Sequence, residues 1–486
     1  MSALVDPEVF VAYSSPEYLC MPFGTRGDPV LEALTRLWDL WGRDPDNPFQ
    51  GWVGRGGSVL LKPNWVLHAN PNGHDIESLV THSSLLFHIA DFAAIAMQGE
   101  GILVIGDAPL QGCKFETLMA RARVPEMIEA LKSRHPKLQV HVEDWRLTLM
   151  GGGTESHRWG PDRSQGERED YEARFARDYD LVDLGPTSFL EDIAEYSDRF
   201  RVTQYKPSRM KAHHAPGRHE YLVTSRVRTS DLVINVPKMK THIKAGLTGA
   251  MKNLVGINGH KEYLPHHIRG SHAEGGDCYD RPNALRSLFD EAYDRFWERF
   301  AELPQGARIL GHVALSLLWR ASNLVAREST SAGSWSQNET IWRTTLDLNH
   351  ILYFRDCSPR RVLTVVDGIV AGEGEGPLEP VPKPAGLLVA GFNPAYVDAV
   401  LAQLMGYNVS RIPTVYHAVY HRKSRFAGPS LEDFNVRLSD KSGKRREVPI
   451  RNLDDLRFEK PRYWRRAERP YRPRIEDEAH PALARS

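Results

Sequence analysis

A mainly parallel α/β sheet flanked by helices, with a helical insertion, is the fold this 486-residue sequence predicts. Three observations predict it. Short apolar runs alternate with helix-length segments between Val59 and Val142, the rhythm of right-handed β-α-β crossovers. Four such runs end in polar or turn residues, at Lys62 with Asn64, at Asp107, at Lys238 to His242 and at Asp367, as strands of one parallel sheet end on one side. From Asn283 to Phe354 the pattern changes to three successive helical periodicities, and strand-like runs return at Val362.

The elements follow in order. Residues 1–57 read as an irregular, partly helical lead-in. Val59 to Leu61 opens the sheet, a helix fits Ser83 to Met97, and Ile102 to Ile105 is the next strand. A helix from Phe115 to Lys132 leads to a strand at Leu138 to Val142. Gly151 to Asp170 is glycine-rich and charged, which predicts a surface excursion. Strands resume near Leu181, Arg201 and Leu232, completing a core over 58–282. The insertion over 283–355 carries Leu285, Leu288, Phe289, Ala292, Tyr293, Phe296 and Phe300 at helical spacing, then helices at Ala307 to Ala326 and Gln337 to Phe354. The core returns over 356–425 with strands at Val362 to Val366 and Gly386 to Val389 and a helix from Pro394 to Met405. Residues 426–486 are a polar extension, rich in Arg, Pro and Glu from Glu459.

Composition narrows the function classes. The 62 basic and 62 acidic side chains cancel, which speaks against a general nucleic-acid or anionic-membrane binder and leaves room for a local basic pocket. The first residues lack a charged-then-apolar signal pattern, and the longest apolar stretch, Ile309 to Trp319, is too short to span a bilayer. A soluble, cytoplasmic chain is expected. Cys20, Cys113, Cys278 and Cys357 are scattered without Cys-x-x-Cys spacing, so isolated buried thiols are expected rather than a zinc or iron–sulfur site.

The most informative segment is Leu232 to Gly256. A buried-strand run, Leu232 to Val236, is stopped by Pro237, and Lys238, Lys240, Thr241 and His242 follow within five residues. Thr248 stands where a helix N-cap would, with Gly249, Lys252 and Asn253 after it. Lysines at a strand's carboxyl end beside a helix start suit a phosphate or carboxylate. This segment resembles the bacterial and archaeal family catalogued as domain of unknown function 362 (DUF362), through Pro237-Lys238-Met239-Lys240-Thr241-His242 and Gly246-Leu247-Thr248-Gly249-Ala250-Met251-Lys252-Asn253. Weaker blocks of the same resemblance are Leu60 to Trp65, Gly106 to Pro109, Val366 to Val370 and Ala390 to Ala399, so it spans about Ser58 to Met405. It implies a family and a site but no reaction. Some relatives carry ferredoxin-like cysteine motifs, which these four cysteines do not reproduce.

The candidate site follows from these strand ends. Lys62, Asn64, Lys238, Thr241, Thr248, Lys252, Asn253 and Asp107 are the expected substrate-binding residues. His242, Lys240, Asp367 and Glu373 are the expected catalytic residues, His242 because two neighbouring lysines would hold its imidazole neutral. Glu373 and Glu375 alternate with Gly372, Gly374 and Gly376 in a loop that ends at Pro377, which also reads as an acidic hairpin tip. Asp398 suits a helix cap as well as catalysis. His266, His267, His272 and Asp277 could hold a divalent metal, with His260, Glu274 and Asp280 nearby and His213, His214 and His219 upstream, though the spacing matches no zinc motif.

Three functions are compatible with this pattern. The first is an enzyme acting on a small anion by acid/base, isomerase- or lyase-type chemistry or with a metal. A redox protein with an iron–sulfur or other metal centre and a noncatalytic anion or nucleotide sensor are the others. The expected partner is a small anionic molecule, with no nucleic acid and no membrane; the pattern sets no oligomeric state.

Overall fold

The computed structural model describes residues 5–19, 23–25, 27–147, 168–326, 332–355 and 360–465. An 11-stranded sheet forms its centre. Its strands are β1 (Val9–Tyr13), β2 (Ser58–Pro63), β3 (Gly101–Asp107), β4 (Leu138–Asp144), β5 (Leu232–Val236), β6 (Lys238–His242), β7 (Gly246–Thr248), β8 (Val362–Glu375), β9 (Glu379–Gly391), β10 (Asn435–Ser439) and β11 (Arg445–Pro449). Their order is β11-β10-β1-β9-β8-β5-β2-β3-β4, with β6 paired to β8 and β7. The run β8-β5-β2-β3-β4 is parallel throughout.

Both faces of this sheet are covered, and that explains its unbroken apolar runs. Val59 and Leu61 point to one core and Leu60 to the other. The first face takes α1 (Pro29–Trp41), α2 (Ser83–Ala96), α3 (Phe115–Arg121) and α4 (Val124–Arg134). The helix expected over Phe115 to Lys132 is thus two, broken at Arg123, where φ is +56°, ahead of Pro125. The opposite face takes α5 (Ala250–Asn253), α8 (Ile341–Phe354), α9 (Pro394–Leu404) and α10 (Pro413–Tyr420). Between them in the chain, α6 (Ala284–Arg299) and α7 (Gln305–Ala326) form an outlying pair.

Several expected boundaries move. The lead-in over 1–57 supplies β1, which pairs antiparallel with β9 and parallel with β10, and α1, capped by Asp28. The extension over 426–486 supplies β10 and β11, a polar hairpin because it forms the sheet's edge. The third helix of the expected insertion, α8, is buried at every residue except His350 and belongs to the core. Leu288, counted on the inward face of α6, is exposed. The strand near Leu181 (Tyr179–Asp183) pairs with Arg218–Thr224 in a separate small sheet, and Phe200–Arg201 pairs with His267–Ile268. Most of the excursion over Gly151 to Asp170 lies outside the described residues, as do Cys20 and Cys357. No helix among the described residues is long and apolar enough to cross a membrane.

Candidate functional site

Strands β2, β3 and β4 build the sheet outward in one direction, and the chain then returns to lay β5 and β8 on the other side of β2. The order reverses between β2 and β5, where open α/β sheets bind ligands beyond their carboxyl ends. Lys62 and Pro63 lie opposite Asn235 and Val236 at that point. Past Pro237 the chain continues as β6, now against the far half of β8, with Lys238 opposite Asp367 and Lys240 opposite Gly372. Strand alternation puts Lys238, Lys240 and His242 on one face and Met239 and Thr241 on the other. Met239 enters the core and the Thr241 hydroxyl donates to the Gly374 carbonyl at 2.8 Å, so Thr241 is a structural residue.

Two of the expected ligand lysines are internally paired. Lys62 Nζ lies 2.6 Å from Asp107 Oδ1 and donates to the Pro63 carbonyl at 2.8 Å. Asp107 also accepts from the backbone N–H groups of Trp65 and Ala108. A side chain at Gly256 would place its Cβ 2.1 Å from that carboxylate, so glycine is needed for the close approach. Lys238 Nζ lies 3.0 Å from Asp367 Oδ2 and donates to the Tyr18 hydroxyl at 2.8 Å, while Tyr18 donates to Asp367 Oδ1 at 2.6 Å. Both pairs are buried, and each acid is saturated by its neighbours. Asn253 joins the layers: its amide accepts from Asn64 at 2.9 Å and donates to Asn235 at 2.8 Å.

Four other lysines are not paired. Among the described residues Lys240, Lys244, Lys252 and Lys261 form no salt bridge; Lys252 feels Lys261, Lys244 and Lys62, and Lys240 feels Lys238, Lys252 and Lys62, while Asp107 acts at longer range on Lys240 and Lys261 and Asp277 on Lys244. Lys240 Nζ donates to the Leu79 carbonyl at 2.5 Å, Lys261 Nζ to the Ala108 carbonyl at 3.0 Å, and Lys244 Nζ to the Ala332 carbonyl. Among the described residues Lys252 has no hydrogen-bond or salt-bridge partner for its ammonium. Burial first, then the cations Lys261, Lys244 and Lys62, brings Lys252 down to about 7. Burial brings Lys244 and Lys261 down to about 8, and Lys240 well below its ordinary value. Lys244, Lys252 and Lys261 keep some solvent exposure, so these desolvated groups do not lie in a sealed core.

Two histidines lie beside these lysines. His242 is held neutral by burial and by Lys252, Lys244, His266 and Lys240. Its Nδ1 accepts from the backbone N–H groups of Lys244 and Ala245 at 3.0 and 3.2 Å, which places the proton of the neutral ring on Nε2. His242 is therefore a hydrogen-bond donor, not the neutral base expected from the sequence. His266 is the converse: Nδ1 donates to the Leu264 carbonyl at 2.7 Å, so Nε2 is a bare acceptor. Burial and Lys252, Lys244 and Lys261 keep it neutral. Thr248 faces Lys240 across the β6–β7 hairpin, and its buried hydroxyl has no partner; the same is true of the Asn64 carbonyl oxygen.

Residues 189–403 match the family described as Domain of unknown function (DUF362). The chain carries a DUF362 domain. No curated protein and no solved structure matches the chain. The DUF362 match includes Lys240, Lys244, Lys252 and Lys261, His242, His266 and Asp367, while Lys62, Asn64 and Asp107 precede it.

The remaining expected residues of the DUF362 site lie elsewhere. Glu373 pairs with Lys383 at 3.2 Å and accepts from the Glu459 N–H, and Glu375 accepts from the Arg462 N–H, so both carboxylates dock the C-terminal segment. The stretch expected as a glycine loop continues β8 to Glu375. Thr248 does not cap α5, whose N-cap is Gly249; Asp398 accepts from Ala250 and Met251 N–H at 2.5 and 3.0 Å and uses up that helix start. Burial raises Asp398 to about 7.

The metal set does not assemble. Asp277 accepts from Ile268 N–H, from Glu339 and Thr340 N–H and from the Thr340 hydroxyl, which caps the approach to α8. No group of three or more His, Cys, Asp or Glu among the described residues could hold a metal ion, so His266, His267, His272 and Asp277 do not fit one. His214 and His219 contact each other and Tyr263 or Glu191, away from the lysines. Sequence reasoning missed Lys244 and Lys261. Lys244 lies between the two signature stretches, whereas Lys261 carried no local signal, because its place depends on Ala108.

Proposed function

We propose that this protein is a cytoplasmic enzyme that binds a small carboxylate- or phosphate-bearing anion in the cleft beyond β2 and β5 and moves a proton on it. The observation that carries this reading is the group of ammonium side chains, Lys240, Lys244, Lys252 and Lys261, none of which forms a salt bridge among the described residues, with Lys252 facing only the cations Lys261, Lys244 and Lys62. Burying like charges is costly unless an anion completes the site. Two or more negative charges on the ligand suit four cations. The two described cysteines, Cys113 and Cys278, are free thiols, in keeping with a reducing compartment.

The roles follow from the protonation states. Lys240, Lys244 and Lys261 hold the anion and stabilise negative charge that develops on it. Lys252, at about 7, is poised to take and return a proton near neutral pH. His266 Nε2 is a second acceptor, and the His242 Nε2–H can donate to a developing oxyanion. Proton abstraction beside a carboxylate, the first step of isomerase and lyase chemistry, uses these parts without a metal. The redox alternative gains nothing from Cys113 and Cys278, which lie in separate surroundings; a visible chromophore in anaerobically purified protein would revive it.

The test is proton exchange. A panel of small carboxylic acids incubated with the protein in D2O should show C–H exchange by NMR, rising through about pH 7 and lost in Lys252→Met. Binding without exchange across the panel would favour the anion sensor. Absence of any anion binding at low salt would overturn the reading.

A further inference from the structure

A cavity lies between the α6–α7 pair and the body of the molecule. It is open to solvent and offers about 110 Å³ of accessible space, comparable with the roughly 150 Å³ cavity that takes a single benzene ring. Its walls are mostly aromatic and apolar, among them Tyr205, Tyr279, Phe289, Tyr293 and Trp319. The charges in its wall are engaged internally: Asp294 lies 2.8 Å from Arg201 and 2.9 Å from Arg269. Arg286 lies over the Tyr279 ring, its guanidinium carbon 4.8 Å from the centroid. His267 also lines the cavity, is 7% exposed, and has a buried Nδ1 with no partner.

This cavity adjoins the lysine cleft. Ala332 lines the cavity, and its carbonyl accepts from Lys244 Nζ. Cys278, another wall residue, interacts electrostatically with Lys244, as does Asp277. His267 follows His266, whose neighbours are Lys252, Lys244 and Lys261. Lys244 therefore stands on the partition, with cations on one side and aromatic rings on the other. An aromatic cavity with its charges already paired selects an apolar group, and the cations beside it select an anion.

We propose that the ligand of the lysine cleft is an amphiphilic anion, its charged head held by the lysines and an apolar ring or chain seated in the cavity beneath α6 and α7. This rests on the anion-binding reading above and names its substrate class. A step of the bound molecule from head to tail would pass Lys244 and the His266–His267 pair, which fixes which end reaches Lys252.

Calorimetric titration of the full chain at low salt with inorganic phosphate, phenyl phosphate and hexyl phosphate tests it. The tailed phosphates should bind at least tenfold more tightly than inorganic phosphate. Ser322→Phe and Asn323→Trp, which fill the cavity from α7, should each abolish that gain and leave the affinity for inorganic phosphate unchanged. Lys252→Met should weaken all three ligands. Equal affinity of the wild-type protein for all three, with Lys252 dependence kept, would overturn the amphiphile and leave the anion site standing. Tailed phosphates that bind without dependence on Lys252 would also overturn it, because cavity and cleft would then be separate sites. Failure of all three to bind would overturn both readings. The wild-type comparison decides the matter even if a filled variant does not fold.

Discussion

Lys252 and Lys238 bring the same ammonium group into the same region, and their surroundings give them opposite tasks. Lys238 is matched by Asp367 and Tyr18 and is fully buried. Removing it strands a buried carboxylate, so Lys238→Met should cost about 3–5 kcal/mol of stability, read by denaturant unfolding. Lys252 has only cations as electrostatic neighbours. Lys252→Met should leave the melting temperature unchanged or raise it, while anion affinity falls roughly ten- to a hundredfold, the worth of one charge-assisted contact. A stability loss in Lys252→Met with unchanged affinity would make that lysine structural. The sequence displays both lysines in one signature and cannot separate them, because the acid that claims Lys238 arrives from β8 and the one that claims Lys62 from β3. Pairing is set by strand order, and strand order is a nonlocal outcome.

The short helix α5 and the β6–β7 hairpin depend on contacts from far along the chain. Four residues are too few to hold a helix by their own hydrogen bonds. Asp398, from the first turns of α9, supplies the acceptors for Ala250 and Met251 N–H and so sets the direction in which Lys252 and Asn253 leave the backbone. Asp398→Ala should destabilise the fold by about 1–3 kcal/mol, the cost of leaving buried donors unpaired, and should weaken anion binding although Asp398 is not a ligand. Full affinity in a correctly folded Asp398→Ala would show that α5 is positioned otherwise. The hairpin has a similar brace. Trp464 donates to the Ile243 carbonyl at 2.8 Å and packs where a Cβ on Gly246 would sit, 2.9 Å from its ring, at a φ of +83°. Local pattern placed the end of β5 and the approximate start of α5, since a proline-stopped apolar run and a glycine-rich turn are short-range signals, but it did not foresee that Lys238–His242 and Gly246–Thr248 pair as a hairpin. Of its two readings of Glu373 and Glu375 the acidic hairpin holds and the site carboxylates do not assemble, because the backbone N–H groups these side chains accept from lie more than eighty residues on.

At the scale of the whole molecule, the three-layer α/β architecture was legible because the parallel strands β2, β3, β5 and β8 are apolar on both faces. Strands β1, β10 and β11 were not, since β11 is polar, β10 buries apolar residues only at alternate positions of a polar stretch and β1 is five residues between prolines at 7 and 16. The same layering produces the site: strands that end together at the reversal between β2 and β5 deliver lysines faster than carboxylates. That imbalance gives the molecule a pH signature. Lys252 at about 7 and Lys244 and Lys261 at about 8 lie below the ordinary lysine value in the folded state. The unfolded chain therefore binds more protons between pH 7 and 10, and stability of the ligand-free protein rises with pH across that interval. Asp290 and Asp398, raised to about 7, act in the opposite sense but have largely finished titrating by pH 7.5. The buried thiols and tyrosines, raised in the fold, oppose the rise only above about pH 8.5. The melting temperature should therefore climb from pH 7.5 to 8.5, and a saturating dianion should flatten the slope by restoring the lysines' charge. Binding at pH 8 should then take up about one to two protons, since the neutral fractions of Lys252, Lys244 and Lys261 sum to that range. Calorimetry in buffers of different ionisation enthalpy measures the uptake directly. A dianion that binds with no proton uptake would be seated away from these lysines, and the cleft would lose its claim to be the site.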